Sequence, residues 1–430
     1  MTSVVPTRAR RSARLLAYSH ATVDLYQGAV AALVPFLVLE RGYSYAASAG
    51  IVLAFSLSSS VVQPIFGALG DRWRMPWLIP VSILLAGLGI GAVSVSEYFW
   101  VTATVVGVSG VGVAAFHPAA AGRARELARD DHVVMAWFSL GGNIGFAAGP
   151  LVVAPTIGLL GLAASPLLVV PALTGVVAVA LAGRRRARPS AVGGAASTRP
   201  RGRDDWSAFG RLSVAIVCRS IVFVGLGSFL VLFMGRHEGV GEAAAAASLF
   251  VFYAGGAFGT AIGGHLARRW PRTSILRGAY LAAVPLLAGL LLVPGPAAFL
   301  LVPLVSVALY VPFSLHVSLG QDYLPRHMGT ANGVTLGLAV SIGGLASPAI
   351  GALADRVGLQ QALLPMIALP AIAALALVRL RDPRSATAGD AGGRAPGGDG
   401  GPPSADGTGR SPDDAGADTG APPGRADARA

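Results

Sequence analysis

Twelve stretches of the chain run for about twenty residues with almost no charge: 15–39, 46–69, 77–96, 98–121, 133–156, 160–183, 212–235, 243–267, 275–294, 297–319, 330–354 and 359–379. Several of the segments between them are polar and rich in arginine. A hydrocarbon layer about 30 Å thick needs roughly 20 apolar residues of helix to cross it, so the pattern predicts twelve membrane-spanning helices. Gly and Pro inside the stretches are compatible with that reading, because neighbouring helices in a bundle satisfy the freed backbone groups. The first stretch is longer than a signal-peptide core and contains His20 and Asp24, so it is expected to remain as the first helix.

Composition agrees. The chain is 53% apolar and only 13% charged, against about 25% charged in soluble proteins, which excludes an ordinary soluble enzyme. All 33 basic residues are arginine, and the net charge is +12. Such a balance alone would suit nucleic acid, but the arginines gather between the apolar runs. With the N-terminus placed in the cytoplasm, cytoplasmic segments up to Arg384 hold 25 arginines and outside loops hold three, Arg41, Arg236 and Arg356. That bias is the positive-inside pattern: both termini cytoplasmic, the partner a bilayer and no nucleic acid. The single cysteine, Cys218, excludes an intrachain disulfide and a Cys-based metal site. Without lysine there is no phosphate-binding loop of the ATPase type. No catalytic constellation, metal cluster or cofactor motif stands out, so the expected energy source is an ion gradient.

The two halves repeat. Gly67-Ala-Leu-Gly-Asp71-Arg72-Trp73 matches Gly264-His-Leu-Ala-Arg268-Arg269-Trp270, an offset of 197 residues. The same offset carries the start of the first apolar run onto the seventh and brings Pro150 beside Pro348 and His117 near His316. A constant offset across several landmarks marks an internal duplication. The expected organisation is a cytoplasmic arm (1–14), a six-helix half (15–183), an Arg-rich linker (184–207), a second six-helix half (208–382) and a tail (383–430). The tail has too few large apolar side chains to fold. Transporters built from such repeats hold substrate near the midplane, between halves that rock about it.

Four segments carry a family likeness: Ser19-His20-x-x-x-Asp24; Gln63-Pro64 with Asp71-Arg72-x-x-Met75-Pro76-Trp77; Phe116-His117-Pro118; and Gly141-Gly142-Asn143-x-Gly145-x-x-x-Gly149-Pro150. Together with twelve spans in two sixes and Gly67-x-x-x-Asp71-Arg72 after the second, they resemble the major facilitator superfamily, and more narrowly its fosmidomycin-resistance branch. The likeness runs from about Arg14 to Asp382. It implies an all-α membrane fold of two pseudo-symmetric halves, and a drug:proton antiporter of the bacterial inner membrane that exports compounds such as the phosphonate fosmidomycin. It also implies gating roles. Asp71, beside Arg72 and Gly67, would meet the N-terminus of the eleventh span near Met328–Thr330. Gly145, Gly149 and Pro150 resemble the antiporter motif of exporters, without its later glycines. Trp73-Arg74 and Arg268 depart from the usual loop motif.

The chemistry-bearing residues are few. Of the 21 acidic residues only Asp24 lies mid-span, where a charge costs about 2.5–3.5 kcal/mol and faces the bundle interior or a wet cavity. It is a candidate proton carrier, or a buried acid hydrogen-bonded for structure. His20, four residues earlier, shares its helix face and either relays the proton or satisfies a carbonyl. Arg219, the mid-span arginine, lies at the depth of Asp24 on the equivalent helix. It either binds an anionic substrate through charge-assisted bonds or forms a fixed ion pair with Asp24. His117 and His316 either bind anionic substrate, pass protons inward, or pack helices. Asn143, Tyr26, Gln63 and Tyr253 are candidate polar lining with structural roles as the blander reading. The expected function is a monomeric, proton-coupled exporter of a small anionic or phosphonate-like molecule. A proton-coupled importer of an organic anion and a non-transporting receptor or scaffold are the alternatives.

Overall fold

The computed structural model describes residues 7–73, 75–128, 132–182, 203–237, 241–295, 297–327, 330–331 and 333–383, all within the unit Met1–Thr387. Among them there is helix and connecting turn but no strand. Their twelve helices are α1 Thr7–Arg41, α2 Tyr45–Arg72, α3 Leu78–Val95, α4 Phe99–Ala128, α5 His132–Leu160, α6 Leu162–Ala182, α7 Trp206–His237, α8 Glu242–Leu266, α9 Arg272–Leu292, α10 Ala297–Tyr323, α11 Ala339–Val357 and α12 Leu359–Leu377. Eleven are long and apolar enough to span a bilayer. The other, α11, is rich in Gly, Ser and Ala and enters through a π-helical stretch, Gly333–Leu338.

Two helices begin six or more residues earlier than the apolar pattern predicts, α1 at Thr7 rather than 15 and α7 at Trp206 rather than 212. Hydropathy marks the hydrocarbon layer, not the helix. The Arg- and Ala-rich flank of α1 is a good helix former and continues the spiral beyond it. The arm expected over 1–14 is therefore helical from Thr7. Most of the linker, the tail from 384 and the segment at 328–329 fall outside the described residues.

The duplication is visible in the turns. Helices α2 and α8 begin 197 residues apart, as do α6 and α12. The α5–α6 and α11–α12 turns each pivot on a glycine in the left-handed region, Gly161 at φ 74° and Gly358 at φ 92°, a conformation that penalises a Cβ.

Call the end of the bundle that carries Thr7 the first face and the end that carries Arg41 the second. The halves meet at the second face. Asp355 near the end of α11 accepts hydrogen bonds from the backbone N–H groups of Tyr45 (2.8 Å) and Ala46 (3.0 Å) at the start of α2, a carboxylate on a helix N-terminus. Below it a Cβ on Gly351 would strike the Tyr45 carbonyl, and one on Gly344 would lie 2.9 Å from Ser56, so the two helices pack backbone to backbone. One apolar core runs through the first half and across this contact, from Leu16 to Met366. The first-face end of the second half has its own core of Phe209, Leu212, Leu276, Leu315, Leu319 and Leu377. A core continuous at one face and divided at the other means that the halves part toward the first face.

Asp355→Ala removes the cap from the exposed α2 terminus and is expected to loosen the second-face contact by about 0.3–1 kcal/mol. Spin-label distances across that face should broaden by a corresponding small population, and an unchanged distribution would show that the cap holds nothing.

At the first face, the second half is tied by ion pairs. Arg272 opens α9 and is buried. It binds Asp382 through Nη2 (2.6 Å), Nε (3.1 Å) and its backbone N–H (2.7 Å), and Asp322 through Nη1 (2.7 Å). Beside α7, Asp204 accepts from Arg326 N–H (3.0 Å) and pairs with His327 (2.7 Å). Partial burial raises the Asp204 pKa, but these two donors outweigh it and hold the carboxyl below its ordinary value. The contribution of this contact is therefore present at neutral pH and is lost as pH falls through the carboxylate range.

Candidate functional site

In the first half, α1 places His20 and Asp24 one turn apart, and α4 brings His117 to the same carboxylate just before Pro118. His20 Nε2 lies 3.2 Å from Asp24 Oδ2, and His117 Nε2 lies 3.1 Å from Oδ1. Each ring is held from behind, His20 Nδ1 by the Phe138 carbonyl and His117 Nδ1 by the Val113 carbonyl, both at 2.8 Å. A carbonyl only accepts, so both Nδ1 atoms carry hydrogen. Were both histidines neutral and Asp24 ionised, two lone pairs would point at a carboxylate. The geometry therefore calls for a proton on one Nε2 or on the carboxyl, or for another cation among them.

The surroundings fix that arrangement. Gln27 Nε2 donates to Asp24 Oδ1 at 2.9 Å. Phe138 stacks on the His20 ring at 4.2 Å between centroids. His20 and Asp24 are buried, while the His117 side chain keeps 24% exposure, so His117 is the open side of the group.

Helix α5 makes room for it. A Cβ on Gly142 would lie 2.5 Å from Asp24 Oδ2 and 2.8 Å from His20 Nε2. Gly141 and Gly145 lie against the carbonyls of Ala17 and Ala21 on α1, and Gly149 against the backbone from Leu25 to Ala29. The Gly-Gly-Asn segment is thus a small-residue seam that lets two backbones approach, with Gly142 the notch for the charged group. Asp24 sits midway along α1, 17 residues from either end.

In the second half, Arg219 is 7% exposed on α7. Its Nε donates to the Leu309 carbonyl of α10 (2.5 Å), and its guanidinium carbon lies 5.1–5.5 Å from the rings of Phe223, Tyr310 and Phe313. Three aromatic faces hold the cation. Among the described residues it makes no ion pair, so the fixed Asp24–Arg219 bridge entertained from sequence is not formed. Aromatic contacts lead from it to the junction of the halves: Tyr310 to Phe223 (5.2 Å), Phe223 to Phe146 (6.4 Å), and Phe146 to Tyr253 (4.3 Å).

The remaining candidates separate. His316, near the repeat position of His117, is 2% exposed and bonds the Tyr280 hydroxyl through Nε2 at 3.1 Å. The Tyr26 hydroxyl donates to Leu168 O and accepts from Ala172 N, both 2.9 Å. Those two groups would bond each other in an unbroken α-helix, so Tyr26 bridges the 3₁₀-to-α junction of α6 and has no freedom to meet a ligand. Asn143 and Gln63 are exposed. Gly67 on α2 has no close neighbour on its Cβ side except Pro118 at 4.0 Å, and Arg72 is exposed. The Asp71 side chain and residues 328–329 of the segment it was expected to meet lie outside the described residues.

Replacing Tyr26 by Phe strands a buried donor and a buried acceptor, at about 1–3 kcal/mol. Thermal denaturation in detergent should show that loss while substrate KM stays put, and a shifted KM with intact stability would reverse the assignment.

Gln27 was not singled out from sequence, although the Asp-x-x-Gln spacing marks it, and Gly142 was read only as part of the Gly-Gly-Asn segment, with no role of its own. His20, Asp24 and His117 bring three atoms of metal-ligand type within 4.8 Å of one another, a grouping the sequence did not announce. The third ligand comes from a separate helix, so no local spacing announces it.

Comparison with known proteins agrees with this architecture. The family model described as Major Facilitator Superfamily matches residues 16–348. The fosmidomycin resistance protein of Escherichia coli (strain K12) is 26% identical over 369 residues, 82% of this chain and 89% of that protein. The uncharacterised MFS-type transporter YfnC of Bacillus subtilis (strain 168) is 29% identical over 386 residues, 85% and 91% of the two chains. Among solved structures, a bacterial homolog of the human lysosomal transporter Spinster, in an inward-facing and occupied conformation, superposes with TM-score 0.75 at 17% identity over 86% of this chain and 97% of that one. The nucleoside transporter NupG gives 0.66 at 13% identity over 86% and 98%.

Proposed function

Because the chain belongs to the major facilitator superfamily, we propose that this multi-pass membrane transporter is a proton-coupled exporter of a small, anionic or phosphonate-like molecule in the bacterial inner membrane. The observation that carries the reading is the His20–Asp24–His117 group, a buried arrangement that is electrostatically consistent only when it holds a proton or another cation. The arginine bias supports a cytoplasmic first face. In that orientation the described state opens to the cytoplasm.

The two ligands then address opposite halves. A proton arriving from outside neutralises the Asp24 group. Inside, a substrate anion meets the Arg219 guanidinium, which has no carboxylate partner among the described residues. Each ligand lowers the cost, about 2.5–3.5 kcal/mol per charge, of turning over without the other. The resistance phenotype in the Escherichia coli relative's name supports an exported phosphonate.

The test is uptake of fosmidomycin into everted membrane vesicles from cells expressing the chain, driven by an imposed pH gradient, acid inside. Accumulation that collapses with the gradient supports the export reading. Accumulation only when the gradient is reversed supports an importer, and none in either direction with any phosphonate sinks the substrate class.

A further inference from the structure

We infer that the His20–Asp24–His117 group is a binding site for one divalent transition-metal ion of the Zn²⁺ type. Its donors are two imidazole nitrogens and a carboxylate, the borderline set that favours Zn²⁺, Co²⁺ or Ni²⁺ over Mg²⁺ or Ca²⁺. The ligand atoms lie within 4.8 Å of one another. His20 Nε2 lies 3.2 Å from Asp24 Oδ2 and His117 Nε2 lies 3.1 Å from Oδ1, so whichever oxygen serves as the ligand, one imidazole nitrogen stands near the spacing of about 3.3 Å between tetrahedral ligands placed about 2.0–2.1 Å from zinc.

Three further features belong to such a site. Metal-bound histidines donate their outer ring N–H to a carbonyl or carboxylate, which fixes the inner nitrogen as a ligand. Both histidines do so, to Phe138 O and Val113 O. His20 Nε2 is buried and has no hydrogen-bond partner despite its proximity to Asp24, so a lone pair is aimed into the group with no donor to receive. Gly142 leaves the space a Cβ would fill, and the partly exposed His117 provides the way in. Gln27 steadies the carboxylate from outside, and a fourth ligand position is left for water.

The ion and the proposed coupling protons compete for the same three atoms. Metal binding stands without the transport reading, whereas inhibition of transport by the ion rests on it. The experiment uses the full chain, purified without a polyhistidine tag, stripped with chelator and titrated with Co²⁺. One Co²⁺ per chain is expected, with the intense visible absorption of four-coordinate cobalt, displaced by Zn²⁺. His20→Gln, His117→Gln and Asp24→Asn should each weaken binding by more than about 100-fold, beyond the loss seen for outer-shell changes. His327→Gln, at the first face, should leave it unchanged.

Absence of stoichiometric binding, a six-coordinate cobalt spectrum in the unmutated protein, or binding lost only in His327→Gln overturns the site. The spectrum decides even where a variant fails to fold. Zinc that binds without slowing pH-driven transport leaves the metal site standing and counts against the proton reading. Intact pH-driven transport by a chain that takes up neither added Co²⁺ nor added Zn²⁺ overturns the metal site alone.

Discussion

Asp24→Asn should abolish pH-driven transport, lowering its rate by about 100-fold or more, the range over which a positioned proton-transfer group acts. Substrate binding should stay measurable. The asparagine amide cannot take up a proton, but it can donate a hydrogen to one of the two imidazole lone pairs that face position 24, so the group remains satisfied and the helices stay packed. The comparison is made in proteoliposomes, with an imposed pH gradient for transport and equilibrium binding of substrate on the same preparation. Full gradient-driven transport by the variant would refute the coupling scheme. Loss of binding together with transport would return Asp24 to a structural role.

The second large effect belongs to Arg219. Its guanidinium is buried, stacked among three rings and bonded at Nε to a carbonyl, which leaves the two Nη groups to meet an anion. Removing a charge-assisted hydrogen bond costs about 1.5–3 kcal/mol, so Arg219→Ala should raise KM for an anionic substrate roughly 10- to 100-fold. Arg219→Lys keeps the charge but loses the planar fork and the stacking, and should fall between. An uncharged analogue of the same substrate should be affected little by either change. Equal losses for charged and uncharged substrates would mean that Arg219 only holds α7 against α10.

The architecture was legible because the solvent dictates it. A bilayer forces helices of a set length, so apolar runs, arginine bias and the repeated Gly67 and Gly264 segments together announce twelve spans in two halves. The depth of Asp24 and Arg219 was readable for the same reason. What could not be read is which groups meet. His117 joins Asp24 from 93 residues away, and Asp355 caps Tyr45 across 310. Such contacts depend on helix rotation and crossing, which no local pattern encodes. His316 lies two residues beyond Ser314, the repeat position of His117, and keeps different company, since His117 faces a carboxylate and His316 a tyrosine hydroxyl. Tyr26 shows the same limit. A polar atom at mid-depth looks like cavity lining until the break it mends in α6 is seen. The Gly-Gly-Asn segment carried more than its resemblance suggested, since its glycines are a packing seam and a notch at once.

The duplication supplied one scaffold twice, but its chemistry is antisymmetric. At an offset of 197 residues, His20 and Asp24 correspond to Val217 and Ile221, and Arg219 corresponds to Thr22. The pseudo-twofold axis therefore exchanges two ionisable side chains of α1 for hydrocarbon and a permanent cation for a small hydroxyl. With Arg219 as the anion seat, a cargo molecule lying across that axis has one favoured heading, its acidic end toward the second half, and rocking of the halves carries it through the membrane without tumbling.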